Sequence, residues 1–134
     1  MYVDSSAIVA MMTDEPEGRR LSEHLEAATH RITSALAIYE AALAIRRKRL
    51  RPMVTIQADI AMFLDATDTR VVSVPGSAAD RALSAFEQFG KGTGHPAQLN
   101  MGDCFSYAMA DLHGVPLLFN GRDFVHTDIA QALA

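Results

Sequence analysis

Three carboxylates of this chain are conspicuous for their isolation. Asp4 is the only charged residue between Met1 and Thr13. Glu40 is the only one between Ile32 and Ile45, and Asp103 the only one between Gly92 and Ala110, with histidine counted neutral. The i±3 and i±4 neighbours of Glu40 are Leu36, Ala37, Leu43 and Ala44, an apolar setting on a helix. An unpaired carboxylate in such a setting either loses several kcal/mol of stability or keeps its proton. Three scattered burials of that kind are hard to sustain, whereas a single cation offsets the cost of three in one place. Asp123 follows the apolar run "VPLLF" as Asp4 follows "YV", and ligands of open parallel sheets bind beyond the carboxyl ends of strands. It is therefore a fourth acid for the same edge. Oxygen ligands without Cys or His favour Mg²⁺ or Mn²⁺ over zinc, and carboxylates around such ions serve in-line phosphoryl chemistry.

Each acid also has an ordinary role open to it. Asp103 suits a helix N-terminus with Asn100 as its cap, and Asp4 suits the cap of the helix it precedes. Glu40 has Arg47 and Arg81 as potential ion-pair partners. Asp59 too has apolar helix neighbours (Ile56, Met62, Phe63), so isolation alone does not assign a site. What favours a site is position, and position depends on the elements that carry the acids.

Those elements alternate. Tyr2-Val3-Asp4 reads as a short strand and "SSAIVAMM" as a helix with serines at its start. "DEPEGRRLSEHLEAA" reads as a polar amphipathic helix with Pro16 near its beginning, and "RITS" as a brief strand. "ALAIYEAALAIRRKR" and "PMVTIQADIAMFLDAT" are helices, "RVVSV" is a strand, and "PGSAADRALSAFEQF" is a helix. "GKGTGHPAQLN" is a loop. "MGDCFSYAMADLH" is a helix stopped by Gly114, and "VPLLF" is a continuous apolar strand of the buried parallel type. Alternating strands and helices predict an α/β sandwich with a mostly parallel sheet.

The chain has 134 residues, enough for one domain with a real core, and its net charge of −4 argues against a non-specific nucleic-acid coat. It does not argue against a nuclease, whose site is itself acidic. The five histidines show no i, i+4 pair and no Cys/His spacing that would mark zinc. Cys104 is the only cysteine, so no intramolecular disulfide forms, and a reducing cytoplasm is the expected setting. No apolar run approaches a membrane span, and the basic n-region of a secretory leader is missing from "MYVDSSAIVAMM".

Taken in order, "VDSSA", "YEAAL", "GDCFSYAMA", "PLLFNGRDF" and "TDI" resemble the PIN-domain ribonucleases, and more narrowly the VapC toxins of bacterial type II toxin–antitoxin systems. The resemblance spans essentially the whole chain, and it implies a single PIN-like domain over residues 1–134, a three-layer α/β/α sandwich with a mostly parallel central sheet. It assigns Asp4, Glu40, Asp103 and Asp123 as the metal-binding, catalytic acids, with Ser6 as the small hydroxyl residue near the first acid and Asn120 as the polar residue before the fourth. Asp128 in "TDI" is the reserve for an extra acidic contact. Ser5 stands where the family often has Thr. The activity implied is Mg²⁺-dependent endonucleolytic cleavage of RNA, with Mn²⁺ able to substitute. Structured RNA such as tRNA is the implied substrate, a VapB-type antitoxin the inhibitor, and a homodimer the usual assembly.

Other features carry less. Arg46, Arg47, Lys48 and Arg49 form the densest basic cluster, suited both to a helix C-terminus and to phosphates of an RNA backbone. Arg122, beside Asp123, is placed to steer a phosphate, and Arg19-Arg20 reads as a solvated face. "GKGTGHP" lacks the order of a phosphate-binding P-loop. Tyr39 and Tyr107 are expected in the core. A phosphoreceiver needs an Asp after its third strand, and "RVVSVPG" has none; a haloacid-dehalogenase-like phosphatase needs Asp-x-Asp after its first, and "VDSSA" has none. The alternative to an enzyme is a catalytically silent PIN-like module that acts only by binding RNA or a partner.

Overall fold

A computed structural model describes residues 1–133. The described residues form six helices and four strands: β1 (Tyr2–Val3), α1 (Ser5–Met12), α2 (Gly18–Ala27), β2 (Ile32–Ser34), α3 (Ala35–Lys48), α4 (Met53–Ala66), β3 (Arg70–Val72), α5 (Gly76–Phe89), α6 (Met101–His113) and β4 (Leu117–Leu118). The strands pair in the order β3-β2-β1-β4, all parallel. Tyr2 is in register with Ile32 on one side and Leu117 on the other.

Two-residue periodicity divides the core. Tyr2 and Leu117 point into one cluster with Ala82, Ala85 and Phe89 of α5 and Ala108 and Met109 of α6. Val3 and Leu118, the next residues, point into the other, with Ile8 of α1, Leu21 of α2, Ala41 of α3 and Ile60 of α4. Side chains alternate across a strand, so a sheet apolar at every position must be covered on both faces. The result is the expected three-layer α/β/α sandwich. None of the described helices is long and apolar enough to cross a membrane.

Some boundaries differ from expectation. The second helix begins at Gly18 rather than Asp14. Asp14 lies in the left-handed region at φ 53, and Pro16 disfavours helical geometry at Glu15 before it, so 14–17 make a turn. β3 stops at Val72 and β4 covers only Leu117–Leu118. Pro75 and Pro116 have no N–H to give a ladder. α6 ends as expected, with Gly114 in the left-handed conformation (φ 61, ψ 36). Tyr107 is in the core as expected, but Tyr39 is 62% exposed. α3 turns that part of its apolar surface outward, because its two core-facing sides do not cover its whole girth.

Arg31 joins two helix ends. Its Nε donates to the Leu25 carbonyl (2.5 Å), Nη2 to that of Glu26 (2.8 Å) and Nη1 to that of Thr67 (2.7 Å). It thereby offers carbonyls at the ends of α2 and α4 a planar fork of donors. Arg31→Ala is expected to destabilise the fold by about 2 kcal/mol, and Arg31→Lys to recover only part of that, because an ammonium is not a planar fork. Urea denaturation of the three proteins checks both, and equal stability of all three would refute it.

Candidate active site

The strand order sets the place. The chain runs outward from β1 to β2 and β3, then returns to put β4 on the other side of β1. A crevice opens beyond the carboxyl ends of adjacent strands where the order reverses. Asp4 leaves β1 at this point, its N–H donating to the Leu118 carbonyl of β4 at 2.9 Å.

Asp4 is almost wholly buried and fully engaged. Its Oδ2 accepts from the Ser6 N–H (3.0 Å) and the Ser6 hydroxyl (2.5 Å), and its Oδ1 accepts from the Ser106 hydroxyl (2.5 Å). The cap of α1 is thus real: Asp4 holds an orphan helix N–H and belongs to the crevice as well. Ser6 Oγ in turn accepts from the Asn120 N–H at 3.0 Å, which ties the loop after β4 to the end of β1. Asn120 Nδ2 donates to Glu15 (2.8 Å), and Glu15 also pairs with Lys48.

Asp103 opens α6 in a reciprocal capping box. Asn100 Oδ1 accepts from the Asp103 N–H (2.9 Å), and Asp103 Oδ2 accepts from the Asn100 N–H (3.1 Å). Here too the structural role and the crevice coincide. Burial pushes the Asp103 carboxyl up to about 7, and the charges of Asp4, Asp123 and Glu40 add to the push. Glu40 reaches the same place from α3 and is raised by burial and by Asp4. Neither expected arginine pairs with it: Arg81 bonds Asp111 at 2.7 Å, and Arg47 has no ion-pair partner among the described residues. Asp123 is exposed on the 120–123 loop, which the packed rings of Phe119 and Phe124 (centroids 5.0 Å apart) pinch at its base.

Asp4, Glu40, Asp103 and Asp123 are therefore brought to one edge. Asp128 is not among them, and instead accepts from the Tyr107 hydroxyl at 2.6 Å. Among the described residues no three of these acids converge into a ready-made metal cage; they line a rim of mutually repelling oxygens. Such a rim suits a hard divalent cation, which would lower every one of those repulsions at once. Cys104 is buried and its thiol is pushed up to about 11, the state of an inert packing residue.

Sequence reasoning missed Ser106 and Glu15. Ser106 had a signal, since three residues after Asp103 is the same helix face. Glu15 had none, because its tie to Asn120 spans 105 positions. The basic cluster divides. Lys48 pairs with Glu15 and Arg49 approaches Asp14 at 3.8 Å, while Arg46 and Arg47 border an apolar groove with Leu43 and Met53.

Comparison with known proteins gives a consistent picture. The PIN domain family matches residues 1–130. Ribonuclease VapC30 of Mycobacterium tuberculosis is 42% identical, covering 97% of this chain and 96% of its own. Ribonuclease VapC42 of the same species is 42% identical, covering 98% of each. A ribonuclease VapC of Mycolicibacterium smegmatis is 38% identical over 97% of this chain and 98% of its own. Among solved structures, a chain of a toxin–antitoxin complex from Klebsiella pneumoniae superposes with a TM-score of 0.67, covering 95% of this chain and 92% of that one; at 16% identity it speaks to the fold.

The raised acids have a thermodynamic consequence. Asp103 and Glu40 hold their protons to higher pH folded than unfolded, so their joint contribution to stability is greatest below the unfolded carboxylate range. It declines as pH rises from about 4 towards the Asp103 value of about 7, and is flat above. Asp103→Asn keeps an oxygen for the capping box and removes the charge. It is expected to stabilise the protein at pH 8 in EDTA by on the order of 1–3 kcal/mol and to flatten that slope. Denaturation against pH measures both, and a variant less stable than wild type at pH 8 would contradict the reading.

Proposed function

The chain belongs to the PIN-domain family and within it to the VapC proteins, and from that premise we propose that it is the toxin of a VapBC-type toxin–antitoxin system. In this reading residues 1–134 form one PIN-like domain, a cytoplasmic endoribonuclease dependent on Mg²⁺ or Mn²⁺. It hydrolyses phosphodiesters of structured RNA such as tRNA, works as a homodimer, and is held inactive by a VapB-type antitoxin. The observation that supports the proposal is the set of four acids lining the β1/β4 crevice, two of which, Asp103 and Glu40, are raised first by burial and then by the charge of neighbouring acids.

In this proposal Asp4, Glu40, Asp103 and Asp123 hold the ion or ions. A divalent cation there lowers the pKa of water and neutralises charge on the phosphodiester. Ser6 and Ser106 fix the Asp4 carboxylate from both oxygens, and Asn120 fixes Ser6. Arg20 and Arg122 line a cleft with Asn120 and Glu17, where they would hold phosphates of the RNA. Arg46 and Arg47 remain as cations for the RNA backbone; Lys48 and Arg49 contribute less, being paired.

The test incubates purified, antitoxin-free protein with total RNA in Mn²⁺ or EDTA, beside Asp4→Asn and Asp103→Asn. Cleavage is expected only in wild type with Mn²⁺; equal cleavage by all three would sink the assignment. No cleavage under any condition, with no growth arrest on expression, would favour the catalytically silent module. Ser106→Ala leaves one Asp4 oxygen without its donor and is expected to lower cleavage by about 10–100-fold. The same RNA assay measures it, and full activity would remove Ser106 from the site.

A further inference from the structure

Glu40 differs from the other buried acids in what holds it. Asp4 has three donors and Asp103 has its capping box. No hydrogen bond or ion pair from a described residue reaches the Glu40 carboxylate, which is half-buried at the first turn of α6. What confines it is shape. It lies over the bare Cα of Gly102, so close that a Cβ built there would collide with its Cδ and both its oxygens.

The backbone supplies no other reason for glycine at that position. Gly102 lies inside α6 and its φ is outside the left-handed region. A glycine within a helix is less favourable than alanine by up to about 1 kcal/mol. Gly114, by contrast, has the positive φ of a helix stop. At Gly102 the missing side chain leaves room, and the Glu40 carboxylate is what fills the room.

We propose that Gly102 is the seat of Glu40: a positioning residue whose absent side chain lets the carboxylate close against α6 beside Asp103, and which any larger residue would evict from the acidic rim. The inference rests on the reading of Glu40 as an ion-holding acid. It predicts an unusual pairing of effects, because alanine improves the helix while it displaces the acid.

The experiment compares wild type, Gly102→Ala, Glu40→Gln and the double variant. Two readouts are used: the melting temperature in EDTA and along a Mn²⁺ titration without RNA, and kcat and KM for RNA cleavage. Gly102→Ala is expected to melt at or above wild type in EDTA, to need about tenfold or more Mn²⁺ for the same stabilisation, and to lose kcat with KM little changed. The double variant is expected to be no worse than Glu40→Gln alone, since both changes remove one carboxylate. A normal Mn²⁺ response in Gly102→Ala, with Glu40→Gln impaired, would overturn the seat and leave the metal reading intact. A Gly102→Ala protein melting well below wild type in EDTA would also overturn it, because glycine would then serve packing. A Glu40→Gln protein with normal Mn²⁺ response and cleavage would overturn the metal reading of Glu40 itself, and the seat with it.

Discussion

Carboxylates repel, and this fold holds several of them within reach of one another in a partly dry crevice. The opposing interactions are local and countable. Asp4 is held by hydroxyls from α1 and α6 and by a backbone N–H; Asp103 by the cap of its own helix; Glu40 by a hollow over Gly102. Hydrogen bonds from neutral donors stabilise a carboxylate without cancelling its charge, so the field between the acids survives. A direct partner such as arginine would have quenched it. Of the two arginines expected to pair with Glu40, Arg81 is engaged by Asp111 instead and Arg47 has no ion-pair partner among the described residues. The edge is stable enough to form and unsatisfied enough to attract a cation.

The sheet explains why this edge and no other. β1 lies inside the sheet with β2 and β4 as neighbours, so its carboxyl end faces the reversal of strand order. Asp4 is the first residue after it. The Ser6–Asn120 bond closes the crevice between β1 and β4, and α6 returns across the same face to present Asp103 and Ser106 three residues apart. Glu40 comes from α3 and meets α6 at Gly102, where its carboxylate occupies the space a Cβ would take.

Most of this architecture was legible before any coordinates. The alternation of elements, the apolar run of β4 and the stop at Gly114 are local signals with local causes. The acids were legible by isolation, since Asp4, Glu40 and Asp103 each break an otherwise uncharged stretch. Their structural roles are legible too, as alternatives to a site. The structure shows the two are compatible: a helix cap and a crevice acid can be the same carboxylate. What could not be read were contacts across long separations. Ser106 shares a helix face with Asp103, but its bond to Asp4 spans 102 positions and no local pattern announces it. The start of α2 departs from the amphipathic pattern because Pro16 acts backwards on Glu15, which periodicity does not register.

The basic run at the end of α3 shows how one local pattern can divide into two roles. Four successive cations, Arg46 to Arg49, read as a single patch, yet helical geometry spreads neighbours about 100° apart around the axis. Lys48 and Arg49 turn towards the 14–15 turn, where Lys48 pairs with Glu15 and Glu15 accepts from Asn120. That places a fixed positive charge two contacts from the crevice without placing it among the acids. Arg46 and Arg47 turn the other way, onto the rim of the apolar groove between α3 and α4, where Tyr39 and Leu43 are exposed. One half of the run therefore steadies the loop that carries Asn120, and the other half faces outward with its charge unpaired. A neutralising substitution in the first half would act on the site through Glu15 and Asn120. One in the second half would change only what the surface attracts.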